Sequence, residues 1–355
     1  MAAQPDARLL GILPFLDRDP RPVPIAAPAG DGLDARQFTD LSTLGPGALV
    51  TPTPRFFVRT RARGGLARPA SWRVRVGGLD RDSSTFDLAA LRPLARPQGV
   101  HLLECAGNVE PFGLMSAARW DGIPLRAVLD RMAPWPAGHR VLVTGDDDAS
   151  YAWRTSVAGA SWIFSSDDLT RTGAFLATGM NDEPLTPDHG GPLRLVVPGW
   201  YACSAIKWVV SIDWVHDEAL ATGQMREFAG RTHQRDVPRL ARDYEPPAID
   251  TAAMPVRVEQ WQNAGGVFYR LVGIVWGGTV PTNALEVQCG AGAPFVPVSE
   301  CPLPSTTSTW SLWTHNWRPG GRGVYEIAVR VRDAATPTRR LDRGYYIRRV
   351  RVAAV

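Results

Sequence analysis

Four cysteines in 355 residues are too few for a disulfide scaffold, and no two of them have CxxC spacing. Neither a zinc pattern nor a CxxCH haem attachment can be drawn, and Cys105, Cys203, Cys289 and Cys301 read as reduced thiols. The six histidines are scattered, so a histidine metal site would have to be assembled by the fold. No uncharged apolar run reaches the roughly 18 residues that span a bilayer. Residues 9–16, LLGILPFL, are apolar, but a proline interrupts them and DRDPRP follows in place of a cleavage site. The expectation is a soluble chain with no membrane association, cytoplasmic as given, or periplasmic if a leader has been removed. Basic residues exceed acidic ones by 39 − 35 = 4. They form no stripe interleaved with aromatics, which argues against nucleic acid. GxxxxGK[ST], HExxH, GxSxG and a helix-opening GxGxxG are all missing. HGGPLR (189–194) is similar to an oxyanion-hole loop but has no nucleophile elbow to serve.

What remains is globular, at 45% hydrophobic and 21% charged residues, and long enough for two domains. Thirteen tryptophans suit cores, interfaces and ligand pockets alike. Residues 1–48, rich in Pro, Gly, Ala and Asp, suggest an arm wrapping the surface. Residues 49–245 read as a mixed α+β domain. Its strands are expected at 71–79, 99–107, 139–148, 192–200 and 205–215, and its helices at 85–94 and 123–134. In the second helix Leu125, Val128, Leu129 and Met132 share a face, with Pro124 in the first turn and Pro134 past the end. A Pro- and charge-rich join follows at 235–255. From 250 to 355 the texture is all strand, with Tyr325, Ile327, Val329 and Val331 alternating against polar neighbours. That pattern suggests an immunoglobulin-like sandwich, one that would pair two chains into a homodimer.

The chemistry concentrates in three stretches. HLLECAGNVEP (101–111) sets Cys105 between an apolar strand end and a turn of small residues. A thiol there can be inert core, nucleophile or metal ligand. Around it lie TPRFFVRTR (53–61), LLECAGNVEPFGLMSAARWDGIPLRAVL (102–129) and MNDEPLTPDHGGPLRLVVPGWYACSAIKW (180–208). In order and spacing these resemble the molybdenum-cofactor domain of the sulfite oxidase family, with the all-β segment standing where that family carries its dimerisation domain.

The resemblance implies molybdenum on a molybdopterin, with Cys105 giving the metal a thiolate. A soft thiolate suits such a centre, and the cation would deprotonate the thiol. His189, Arg194, Ser204 and Lys207 fall at pterin-contact positions, and Arg59 at the arginine close to the metal. Tyr151 aligns with the active-site tyrosine. Arg194 and Lys207 also interrupt apolar strands, where an unpaired charge is costly. Thr60 and Arg61 replace the family's Asn-His after FFVR but keep its cofactor-contact positions. Val109 and Glu110 replace its sulfite-binding arginine pair. A carboxylate there would repel a dianion, so a neutral or cationic substrate is expected, with Trp153, Phe112 and Met115 as apolar walls. Arg61 or Arg119 folding in would neutralise Glu110 and remove that argument. The class implied is an oxidoreductase that moves an oxygen atom to or from a small molecule, with sulfite the family default. An S- or N-oxide reductase, or a fold reused to bind a pterin without redox turnover, are the alternatives. No haem segment is visible, so a separate electron-transfer partner is expected.

Overall fold

The computed structural model describes residues 6–16, 35–60, 71–79, 81–132, 138–146 and 160–353. Strands dominate, and the helices between them are short. One five-stranded sheet orders Glu183–Pro184, Phe175–Met180, Met115–Pro124 and Arg96–Glu104, with Arg194–Val196 paired to Phe175–Met180. A second orders Arg81–Asp87, Arg73–Gly78, Val209–His216, His139–Gly145 and Ser161–Ser165. The alternation of SWRVRVGG explains its place here, since Val74 and Val76 are fully buried while Arg73 and Arg75 face out.

Both expected helices shrink. Thr85 and Phe86 pair with Arg75 and Val74, so the segment at 85–94 begins as a strand and keeps only the helix Leu88–Leu91. β-branched and aromatic residues suit a pleated ladder better than a first helical turn. The segment at 123–134 gives the helix Leu125–Leu129 and a 3₁₀ turn Asp130–Met132. Leu125, Val128 and Leu129 are its buried face, as the spacing predicts.

Beyond 250, two four-stranded sheets face one another. One orders Arg8–Leu13, Ala252–Asn263, Gly266–Trp276 and Ser311–Trp317; the other orders Val296–Pro297, Leu285–Cys289, Gly323–Val331 and Arg348–Val352. Val258, Leu271 and Trp313 from the first meet Leu285, Ile327 and Val350 from the second in one core. The N-terminal arm thus contributes an edge strand to the C-terminal region, and Leu16 N–H bonds to Arg349 O at 2.8 Å. The two regions also share apolar packing. Met254, Ile274, Trp276 and Tyr346 belong to the same core as Leu102, Phe112 and Trp200. That shared core brings the C-terminal segment 339–346 against the Cys105 turn. Among the described residues no helix is long and apolar enough to cross a membrane.

Candidate active site

The strand Arg96–Glu104 ends one residue before Cys105. Cys105 N–H bonds to Leu114 O at 2.9 Å, and Asn108 N–H closes the turn on Cys105 O at 2.9 Å. Asn108 Oδ1 accepts from Leu114 N–H at 3.0 Å, while its Nδ2 donates to the buried carboxylate of Glu104 at 3.1 Å. The turn is therefore fixed by its own side chains, with the thiol left facing a cavity of about 610 Å³. Gly107 keeps that mouth open. A Cβ there would lie 3.3 Å from Arg231 Nη1 and 3.8 Å from the Cys105 sulfur.

The other motif residues gather around Arg59, which lines the same cavity as Cys105. Gly190, at φ +96°, turns the chain so tightly that a Cβ would meet both Arg194 and Lys207 at 3.0 Å. Arg194 is buried, donating to His189 O at 3.0 Å and Ala205 O at 3.4 Å, and its Nε has no partner. Burial without a counter-carboxylate lowers this guanidinium to about 10. His189 falls to about 3, first through burial and then through the charge of Lys207, with Arg194 adding to it. Its ring meets Thr186 Oγ1 at 2.6 Å and lies edge-on to Phe56. Lys207 Nζ donates to Arg59 O at 3.3 Å and to Asp188 O, while the Arg59 side chain lines the Cys105 cavity. Lys207 is the single lysine of the chain. Ser204 is fully buried, its hydroxyl bonded to Tyr201 O at 2.9 Å.

The arginine wall of that cavity was not foreseen from the motifs. Arg231 and Arg235 enter from the loop after the helix Gly223–Phe228, and Arg339, Arg340 and Arg343 from the C-terminal region. Arg339 is held bidentate by Asp250 at 2.8 and 2.9 Å, and Arg340 faces Glu104 at 3.6 Å. Among the described residues Arg231, Arg235 and Arg343 make no ion pair. His233, also in the wall, stands 3.6 Å from Asp250, and burial lowers its pKa. RTHQR (231–235) and RRLDR (339–343) are arginine clusters visible in the sequence, but nothing local marks them as meeting each other.

The residues expected to shape a substrate pocket are dispersed. Glu110 does not line the Cys105 cavity; it borders a separate recess with Glu326 and Arg349. Val109 still lines the Cys105 cavity, and Glu110 is the first residue of this turn to border the neighbouring recess instead. Phe112 is buried against Tyr345 and Tyr346, and Met115 is fully buried in the main core; neither walls the cavity. Arg119 pairs with Asp182 at 2.9 Å and leaves Glu110 alone. Thr60 ends the strand Val58–Thr60. Arg61, Tyr151 and Trp153 lie outside the described residues.

Comparison with known proteins places this architecture. Residues 63–222 match the oxidoreductase molybdopterin-binding domain. The chain is 31% identical over 201 residues to sulfite oxidase of Gallus gallus, covering 51% of this chain and 43% of that protein. Over 185 residues it is 30% identical to inducible nitrate reductase [NADH] 1 of Glycine max, covering 46% of this chain and 20% of that one. The chain thus spans less than half the length of these relatives. In fold it resembles the sulfane dehydrogenase SoxCD of Paracoccus pantotrophus, with a TM-score of 0.64 at 18% identity, covering 88% of this chain and 80% of that one. The class is therefore a molybdopterin-binding oxidoreductase domain. Within that class the chain is similar to the sulfite oxidases, a likeness carried by residues 63–222 and by the Gallus gallus enzyme.

Molybdenum on molybdopterin is the cofactor that the matched domain implies, and the residues fit it. Among the described residues no three or more His, Cys, Asp or Glu side chains gather to hold a metal by themselves. One thiol on a cavity therefore suits a metal whose remaining ligands come from a bound group. A buried guanidinium with an unsatisfied Nε, beside a lysine, suits that group's anionic and hydrogen-bonding edge.

Proposed function

We propose that the chain is a molybdenum-cofactor oxidoreductase whose substrate is a small oxyanion. The observation that carries this reading is the cluster of arginines that lines the same cavity as Cys105. Guanidiniums gathered on a concave surface repel one another unless an anion joins them, and their planar forks match the oxygens of sulfite-like or nitrate-like groups. The relatives named for sulfite and for nitrate point to the same class. When bound, the cofactor supplies two-electron oxygen-atom transfer to or from the substrate.

The protein's share is position and field. Cys105 offers the thiolate. Arg194, Lys207 and His189, with Arg59 beside them, hold the cofactor's polar edge. A neutral His189 accepts or donates there without adding to the positive charge already present. Arg231, Arg235 and Arg343 draw the anion in and orient its oxygens toward the thiol. Two electrons per turnover pass to or from a separate redox partner. The division at about 245–250 and an immunoglobulin-like, chain-pairing C-terminal sandwich remain part of the same reading, supported by the two facing sheets.

The test is metal analysis of protein made in a molybdate-fed, cofactor-competent host, followed by kinetics with sulfite and an artificial acceptor. Stoichiometric molybdenum and saturable turnover, weakened by added salt, are expected. Metal-free protein from that host would sink the proposal.

A further inference from the structure

Arg340 touches both walls of the site. Its guanidinium lies between the rings of Tyr201, 4.3 Å away, and Tyr345, 4.9 Å away. One nitrogen, Nη2, donates to Ala106 O in the Cys105 turn at 2.9 Å and to Arg231 O in the arginine loop at 3.1 Å. The other, Nη1, faces Glu104 Oε1 at 3.6 Å. Glu104 is wholly buried, and Trp276 Nε1, Tyr346 OH and Asn108 Nδ2 all donate to it, at 2.9, 3.0 and 3.1 Å. Burial alone would lower the Arg340 pKa, and Glu104 together with Tyr201 and Tyr346 more than reverses that. The cation is therefore fixed in place, charged, and committed to two backbone carbonyls far apart in the chain.

We propose that Arg340, locked by Glu104, is a positioning residue that sets the separation between the Cys105 thiol and the anion-binding Arg231. The proposal rests on the oxyanion reading above. Its physical basis is the shape of the guanidinium. A planar fork can lie flat between two rings and still donate from its edge to carbonyls on both sides, which a lysine ammonium cannot do. Neither carbonyl oxygen is itself a donor to the anion, so the effect must travel through the side chain of Arg231.

The experiment titrates inorganic sulfate into the full cofactor-free chain by calorimetry, with thermal unfolding as the control for folding. Arg340→Lys keeps the charge and should weaken sulfate binding about tenfold at a nearly unchanged Tm. Arg231→Ala should weaken it comparably. In the Arg231→Ala background, Arg340→Lys should then change affinity by less than about twofold, because the side chain it positions is gone. Glu104→Gln loosens the same guanidinium and should give a smaller loss in the same direction; it carries the test if Arg340→Lys does not fold. Unchanged affinity in the single variants, or losses that simply multiply in the double variant, would overturn the positioning role. No sulfate binding by the unsubstituted chain would overturn the oxyanion reading instead, and the positioning role with it.

Discussion

Arg194 and Arg340 are both largely buried arginines, within one site, and they are treated in opposite ways. Arg340 has Glu104 beside it and two tyrosines around it, so its charge is answered inside the chain. Arg194 has two backbone carbonyls and the Trp120 ring 5.9 Å away but no carboxylate, and burial drags its pKa down to about 10. A buried charge without a partner is unfavourable, so the chain alone does not account for Arg194. The first arginine completes the protein. The second waits for something that is not protein.

That contrast can be broken from several directions. The largest effect belongs to the thiol both arginines surround. Cys105→Ser should take activity to background and strip the metal while costing little thermal stability, since serine is close to cysteine in size and keeps an acceptor for Gly107 N–H. Metal analysis beside a melting curve checks it. Next come the arginines' own surroundings. Glu104→Leu leaves Arg340 uncompensated and three donors without an acceptor, and should cost about 3–5 kcal/mol of stability. Arg194→Met loses two hydrogen bonds but relieves a desolvated charge. The cofactor-free chain should therefore shift by no more than about 1 kcal/mol. Cofactor content, in contrast, should fall about tenfold or more. Urea unfolding of both variants decides; equal destabilisation would erase the distinction.

His189 tests the Arg194 side through pH. Its pKa falls from 6.5 unfolded to about 3 folded, so between those values the unfolded chain holds the extra proton. Its contribution is present above pH 6.5 and drains away as pH falls toward 3, by up to about 1.4 kcal/mol per unit. The cofactor-free chain should accordingly lose stability faster than His189→Asn over that window, measured by urea unfolding at a series of pH values. Identical slopes would mean that the ring is not held neutral in the fold. The exposed Arg343 should matter less. Arg343→Ala should raise KM for the oxyanion about threefold to tenfold with kcat little changed, and the difference should shrink in high salt.

The cofactor side was legible in sequence because local constraints write it. Gly190 must turn sharply between Arg194 and Lys207, and Cys105, Gly107 and Asn108 close a turn within a few residues. Such geometry leaves short, ordered motifs. The single lysine of an arginine-rich chain was a further signal on this side that went unread. The substrate wall left no motif, because Arg231, Arg340 and Arg343 meet only after the C-terminal sheets dock. The strands between 250 and 355 show through their period of two, whereas the segment at 85–94 carries a helical pattern that the pairing of Phe86 with Val74 overrides. Glu110 shows the same limit. Two residues past Asn108 in sequence, it reads as a neighbour of the thiol, yet the turn sends it elsewhere.

Glu110 also gives the smallest expected effect. If position after the motif decided chemistry, Glu110→Arg would add two positive charges' worth of change next to the anion and transform its binding. In the fold Glu110 borders a recess with Glu326, Tyr345 and Arg349, while the Cys105 cavity takes its charge from Arg231, Arg235 and Arg343. Tyr345 lines both spaces and stands between them as an apolar ring with its hydroxyl tied to Asn108 O at 2.9 Å. Half-buried at an open recess, the Glu110 carboxylate is also reached by water and salt, which damp its field over a distance of about 8–10 Å. Glu110→Arg should therefore alter KM for the oxyanion by less than about twofold at physiological ionic strength. Steady-state kinetics at low and at physiological salt would check it. A tenfold fall in KM that persisted in salt would show that Glu110 faces the anion, and that the arginine wall is not what sets the charge of the site.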